Sequence, residues 1–405
     1  MTETPSGYKT DAAAGTQIFA PRRDGADCQP IFARARQALK SGAIAAQPRG
    51  PVGMNFASDN GAGVAPPILD AILASSRVNA PAYGADDFTA RAEARISEIF
   101  ERQASVFLVA TGTGANALSL AALTAPWQAV FCHEEAHVID DECGAPEFFT
   151  GGAKVVGVPG GDGKIQPAGL AETLARYPRG QAKTSQPGAL SLSQATEAGT
   201  AYRPDEIAAL AALARQAGMG VHMDGARFAN VVAATGASPA ALTWRAGVDV
   251  LSLGATKNGA LACEAVIVFD PAKAAAMPYQ RKRAGQTLSK GRFLGAQMEA
   301  WLAGDLWLEL ARRANGAARR LAEGLAAAPS VRLAFPVEAN EVFVVAPNAT
   351  LARWRAAGAK FYDWSTRSAR SDLAPRTGET MARLVTSFET SEAEVDALLA
   401  LTKTP

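Results

Sequence analysis

From Met54 onward, short apolar runs alternate with segments whose apolar residues recur at helical spacing. Runs at 105–110, 128–132, 153–158, 189–193, 219–223 and 248–253 predict buried strands. Segments 167–176, 204–217 and 238–246 predict helices between them, and Pro66–Ser76, Thr89–Arg102 and Ala117–Leu123 predict three earlier ones. Strand–helix alternation on this scale argues an α/β fold, a large doubly wound domain with a mostly parallel sheet. Beyond about residue 270 the texture changes. Gly304–Ala328 reads as one long helix rich in Ala, Leu and Arg. Short strands at 331–335, 341–345, 360–364 and 383–388, with helices at 348–357 and 391–401, predict a smaller α+β C-terminal domain. The expected organisation is a partly flexible N-terminal extension over 1–53, a large domain over 54–275, and a small domain with its connecting helix over 276–405. Within the extension, Pro30–Ile44 has helical spacing and Gln47–Pro51 reads as a linker.

Composition narrows the class. The 405 residues are 48% apolar and 20% charged, the values of a soluble globular protein. Forty basic residues against 39 acidic ones give a net charge of +1, which offers no support for a nucleic acid or an anionic membrane as partner. The four cysteines, Cys28, Cys132, Cys143 and Cys263, lack zinc-type spacing and read as reduced thiols. The polar start has no apolar signal region and no apolar run reaches spanning length, so the expected location is cytoplasmic.

In doubly wound sheets the site lies beyond the C-terminal ends of the strands. Three of those ends carry chemistry. Thr111-Gly112-Thr113-Gly114 joins a strand to a helix, where backbone N–H groups and the helix N-terminus form a cup for a phosphate. The same glycines, with Ala117 and Glu134, fit a dinucleotide fingerprint, and a plain tight turn explains them as well. His222-Met223-Asp224-Gly225-Ala226-Arg227 leaves a strand with an acid and an arginine three residues later. Asp224 could hold a heteroaromatic nitrogen protonated and Arg227 contact an oxyanion; the alternative is a local ion pair of little worth. Gly254-Ala255-Thr256-Lys257-Asn258-Gly259 delivers one lysine, 33 residues after Asp224. Alone, Lys257 reads as a solvated turn residue, or as an amine that attacks a carbonyl.

Phosphate cup, acid and lysine in that order match what pyridoxal 5'-phosphate requires. The phosphate needs backbone donors, the ring nitrogen a carboxylate, the aldehyde a lysine. A nicotinamide-dependent oxidoreductase built on Gly112 and Gly114 leaves Asp224, Arg227 and Lys257 unexplained. His133-Glu134-Glu135-Ala136-His137 matches the zinc motif H-E-x-x-H, but it follows a predicted strand directly. We therefore assign no metal. His137 is read instead as a ring that stacks on an aromatic cofactor and moves a proton, and His133 as a capping or core residue.

The stretches Ser58-Asp59-Asn60, Tyr83-Gly84-Ala85-Asp86-Asp87, Ala136-His137-Val138 through Glu142-Cys143-Gly144, His222–Arg227 and Gly254–Gly259 together resemble the low-specificity L-threonine aldolases. These are fold-type I pyridoxal phosphate enzymes of the aspartate aminotransferase superfamily. The resemblance runs from about Met54 to the C-terminus and implies cleavage of L-threonine or L-allo-threonine to glycine and acetaldehyde. It implies that Lys257 bonds the cofactor, that Asp224 faces the pyridine nitrogen, and that His137 stacks on the ring. It places Gly112 and Thr113 at the phosphate, and Arg227 near the phenolic oxygen and the substrate carboxylate. Ser58 and Arg383 match groups that hold that carboxylate. Tyr83 and Arg281-Lys282-Arg283 match parts contributed across a subunit interface, which implies a homodimer or homotetramer with shared active sites. Many family members carry a histidine in E-N-T-H-N after the middle strand. Here the run is Ser193-Gln194-Ala195-Thr196-Glu197, with Thr196 read in the histidine's place. The alternatives within this cofactor chemistry are an aldolase preferring phenylserine-like substrates, another lyase, and an aminotransferase.

Overall fold

The computed structural model describes residues 53–369 and 371–402. The expected helix over 30–44 and its linker lie outside these residues. Seven strands build the large sheet: β1 (Ser105–Val109), β2 (Gln128–His133), β3 (Lys154–Val158), β4 (Gln186–Ser193), β5 (Gly220–Gly225), β6 (Val250–Gly254) and β7 (Glu264–Val268). Their order is β1-β7-β6-β5-β4-β2-β3, and all run parallel except β7. Every residue of β6 and β7 is buried, as central strands covered on both faces should be.

Helices cover the sheet: α1 (Pro66–Ser76), α2 (Asp87–Ile99), α3 (Gly112–Leu123), α4 (His137–Asp140), α5 (Pro167–Ala175), α6 (Pro204–Gln216), α7 (Phe228–Thr235), α8 (Met277–Arg283) and α9 (Arg292–Leu302). The long helix α10 (Leu306–Ala326) then leads to a four-stranded antiparallel sheet. Its strands are β8 (Arg332–Leu333), β9 (Glu341–Pro347), β10 (Tyr362–Trp364) and β11 (Glu379–Val385), in the order β8-β9-β11-β10. Helices α11 (Asn348–Ala356) and α12 (Glu392–Thr402) accompany it. Leu321 and Leu325 of α10 pack with Val342, Val344 and Leu398 in a second core. Each such fully buried leucine contributes roughly 1.5–3 kcal/mol.

The differences from expectation have local causes. No helix forms over 238–246: turns lead into a single 3-10 turn, Trp244–Ala246, and the Thr243 hydroxyl bonds back to the Pro239 carbonyl. The long helix begins after Gly304, which sits at φ +56. The strand expected over 383–388 is shifted, ending at Val385. Strand β7, which the reading passed over, follows the Lys257 turn and returns antiparallel between β6 and β1.

Candidate active site

The turn after β6 is clamped from several sides. Gly254 lies so close to the next loop that a Cβ there would meet the Ala226 backbone at 2.7 Å. Gly259 ends the turn at φ +105, a conformation that favours glycine. Ala255 N–H donates to Glu264 Oε2 at 2.9 Å, and Cys263 N–H donates to Thr256 Oγ1 at 3.1 Å. Asn258 Nδ2 donates to the Trp307 carbonyl and Trp301 Nε1 to the Asn258 carbonyl. Lys257 therefore projects from a rigid base into a cavity of about 800 Å³. Burial pushes Glu264, beneath the turn, up to about 7.

Asp224 enters the same cavity from the end of β5. Its Oδ2 accepts from Asn116 Nδ2 at 2.8 Å, and its Oδ1 from Ala226 N–H at 3.0 Å. The expected alternative of a local pair with Arg227 is not formed. Arg227 instead makes a two-pronged bond to Asp59, at 2.7 and 3.0 Å, and approaches Glu341 at 3.4 Å. Asp59 and Glu341 keep Arg227 firmly protonated although burial opposes its charge.

Helix α3 starts at Gly112, with Thr111 as its cap accepting from Gly114 N–H. The N–H groups of Gly112 and Thr113 precede the first helical acceptor, and both residues line the cavity. A Cβ on Gly112 would meet nothing within 4 Å. The dinucleotide reading fails on topology: β1 lies at the sheet edge and β2 five places away, whereas that motif needs adjacent strands.

His133 ends β2 and His137 opens the one-turn helix α4, so the H-E-x-x-H run is not helical. His133 is buried and its Nδ1 accepts from Glu135 N–H. His137 lines the cavity, with Nδ1 2.9 Å from Glu142 Oε1. The bond to Glu142 raises the histidine's pKa, and burial raises that of Glu142. Ser58 and Arg383 also line the cavity. Arg383 stacks on Trp364 at 4.2 Å and lies 5.8 Å from the Tyr362 ring centre. Tyr83, Lys282 and Arg283 lie outside the lining; Lys282 Nζ sits 4.9 Å over the Tyr83 ring, which is 56% exposed.

The sequence reading missed four polar groups that hold this arrangement: Asn116, Asp59, Glu341 and Glu197. Thr196 is fully buried and also lines the cavity, with its hydroxyl 2.7 Å from Thr200 Oγ1, and the neighbouring Glu197 brings an ionisable group to the same cavity. The only sequence signal for Glu197 was a carboxylate within the run already singled out.

The β-eliminating lyase family model matches residues 55–349. The chain belongs to this enzyme family and, within it, to the low-specificity L-threonine aldolases, as the dispersed motifs implied. It is 43% identical over 343 residues to the low specificity L-threonine aldolase of Pseudomonas aeruginosa, covering 85% of this chain and 95% of that one. A protein of the same description from Pseudomonas sp. strain NCIMB 10558 is 40% identical over 345 residues, covering 85% and 96%. Among solved structures, threonine aldolase of Leishmania major superposes with a TM-score of 0.79 at 29% identity, over 86% of this chain and 98% of that one.

Proposed function

We propose that this protein binds pyridoxal phosphate and cleaves L-threonine, L-allo-threonine and related L-β-hydroxy-α-amino acids to glycine and an aldehyde. The convergence of Lys257, Asp224 and the Gly112–Thr113 helix start on one cavity, from three strand ends, carries this reading. The donor set fits the cofactor: an amine, a fixed carboxylate, and the Gly112 and Thr113 N–H groups at the N-terminus of a helix.

When bound, pyridoxal phosphate supplies an aldehyde that captures amines and a protonated ring that takes up electrons. Lys257 provides the anchoring amine. Asp224, held by Asn116 and Ala226, keeps a proton on the ring nitrogen. Gly112 and Thr113 donate to the phosphate, and His137 offers its ring as a stacking face. Arg383 and Ser58 grip the substrate carboxylate, which fixes the orientation of the Cα–Cβ bond. Arg227 stands beside them, with N–H groups remaining beyond those given to Asp59 and Glu341. We also infer that Tyr83 and Lys282 serve the site of a second copy in a homodimer or homotetramer, in keeping with the Tyr83 ring's exposure and its place outside the lining of its own cavity.

The test is product analysis of purified protein with pyridoxal phosphate and excess threonine stereoisomers or phenylserine. Glycine with acetaldehyde or benzaldehyde is expected; pyruvate and ammonia without glycine would sink the aldolase reading.

A further inference from the structure

Cleavage between Cα and Cβ requires a group that takes the proton from the β-hydroxyl. Thr196 is unsuited to this. Its hydroxyl meets Thr200 Oγ1 and accepts from Ala198 and Thr200 N–H, at 2.7, 3.3 and 3.2 Å. His137 is committed through Nδ1 to Glu142, a bond that favours its protonated form.

Glu197 is placed differently. Its Oε1 is pinned by the Ser193 hydroxyl at 2.7 Å and by the His137 backbone N–H at 2.9 Å. Its Oε2 is buried and has no hydrogen-bond partner among the described residues. The residue lines the cavity that also holds Lys257, Asp224 and Arg383. One oxygen is fixed by two donors and the other is an acceptor left unsatisfied in a residue that lines the cavity, an arrangement that suits a positioned base.

We propose that Glu197 is the catalytic base that accepts the β-hydroxyl proton through Oε2, an inference that rests on the aldolase reading above. The hydroxyl proton passes to Oε2, and the hydroxyl oxygen becomes the aldehyde carbonyl as Cα–Cβ breaks. The bond pair stays with Cα, which regains a proton and leaves as glycine. Nothing is oxidised or reduced. Burial pushes Glu197 up to about 7, the range in which a carboxyl both takes and returns a proton near neutrality. The nearby charge of Asp224 adds to the rise, while the bonds from Ser193 and His137 oppose it. Burial raises the pKa of Cys132 and Tyr202, both of which feel the charge of Glu197, and keeps them neutral.

The test uses the holoenzyme of Glu197→Gln and Glu197→Asp beside the wild type. Two rates are read: threonine cleavage, and exchange of the glycine α-hydrogen in deuterium oxide, which involves no β-hydroxyl. Glu197→Gln should lose about a hundredfold or more in kcat for cleavage. Its visible cofactor absorbance and its glycine exchange should stay within a few-fold of wild type. Glu197→Asp, which keeps a carboxylate, should fall between the two. The neutral limb of the cleavage pH profile should vanish in Glu197→Gln. Equal loss of cleavage and exchange would make Glu197 structural and overturn the inference, as would unchanged cleavage. A wild type that exchanges glycine but cleaves no β-hydroxy amino acid would overturn the aldolase reading itself.

Discussion

Asn116 binds Asp224 with its side-chain amide nitrogen, at 2.8 Å, and the same nitrogen donates to Glu142 Oε1, also at 2.8 Å. Asn116 is on α3, just past the Gly112–Thr113 start, so one side chain links three parts of the site. The helix whose start we propose as the phosphate site thus fixes Asp224, the carboxylate proposed for the ring nitrogen. Through Glu142 it also fixes His137, the proposed stacking ring. All three residues are predominantly buried, where hydrogen bonds to charged groups are worth more than at a surface.

Replacing Asn116 by Ala should therefore weaken cofactor binding without touching the cofactor's covalent anchor. Asp224 keeps only the Ala226 N–H, and Glu142 only His137. We expect a loss of about 1–3 kcal/mol in stability and a clear rise in the cofactor dissociation constant. Thermal unfolding and absorbance titration with pyridoxal phosphate measure the two. Unchanged affinity would separate Asn116 from the site.

Lys257→Ala should remove the cofactor's covalent absorbance band and threonine cleavage together. The turn is held by Glu264, Trp301 and Trp307 rather than by the lysine, so the variant should fold. Circular dichroism checks folding, and a visible spectrum with a cleavage assay checks the rest. Retained turnover would exclude the lysine's role.

Asp59 gives a pH signature. Burial alone would raise its pKa, but the charge and bonds of Arg227 outweigh that and hold it below the ordinary value of 3.8. A depressed carboxyl contributes stability that is full above about pH 4 and is lost as pH falls through the folded value. Asp59→Asn should cost about 3 kcal/mol at pH 7, because Arg227 then keeps only Glu341. Denaturant unfolding at pH 7 and below pH 4 should show the gap between wild type and variant closing in acid. A gap independent of pH would contradict the pairing.

Much of this was legible because the cofactor's requirements are sequential. Gly112, Asp224 and Lys257 each end or follow a strand, and strand ends announce themselves by apolar runs breaking into small residues. What escaped depended on partners far apart in the chain. Asp59 and Arg227 are 168 residues apart, and no local pattern distinguishes a buried acid from a surface one. Glu197 was overlooked for a related reason: its partners, Ser193 and the His137 backbone, are brought to it by the fold, and no local pattern marks it. Strand β7 was passed over because the alternation of strand and helix stops there; a direct antiparallel return leaves no helix to mark it.

Arg383 remains the sharpest test of how substrate is held. It sits on β11 opposite Tyr362 of β10, and its guanidinium lies over the Trp364 ring. Its Nε is buried without a hydrogen-bond partner among the described residues. Burial lowers its pKa, yet a guanidinium stays charged at neutral pH. Arg383→Lys keeps the charge but loses the planar fork and most of the stacking. KM for threonine should rise about tenfold or more, with a smaller change in kcat and an unaltered cofactor spectrum, because the interaction is with the substrate in both ground and transition states. Steady-state kinetics against L-threonine decide it: an unchanged KM would move the carboxylate to Arg227, which lines the same cavity.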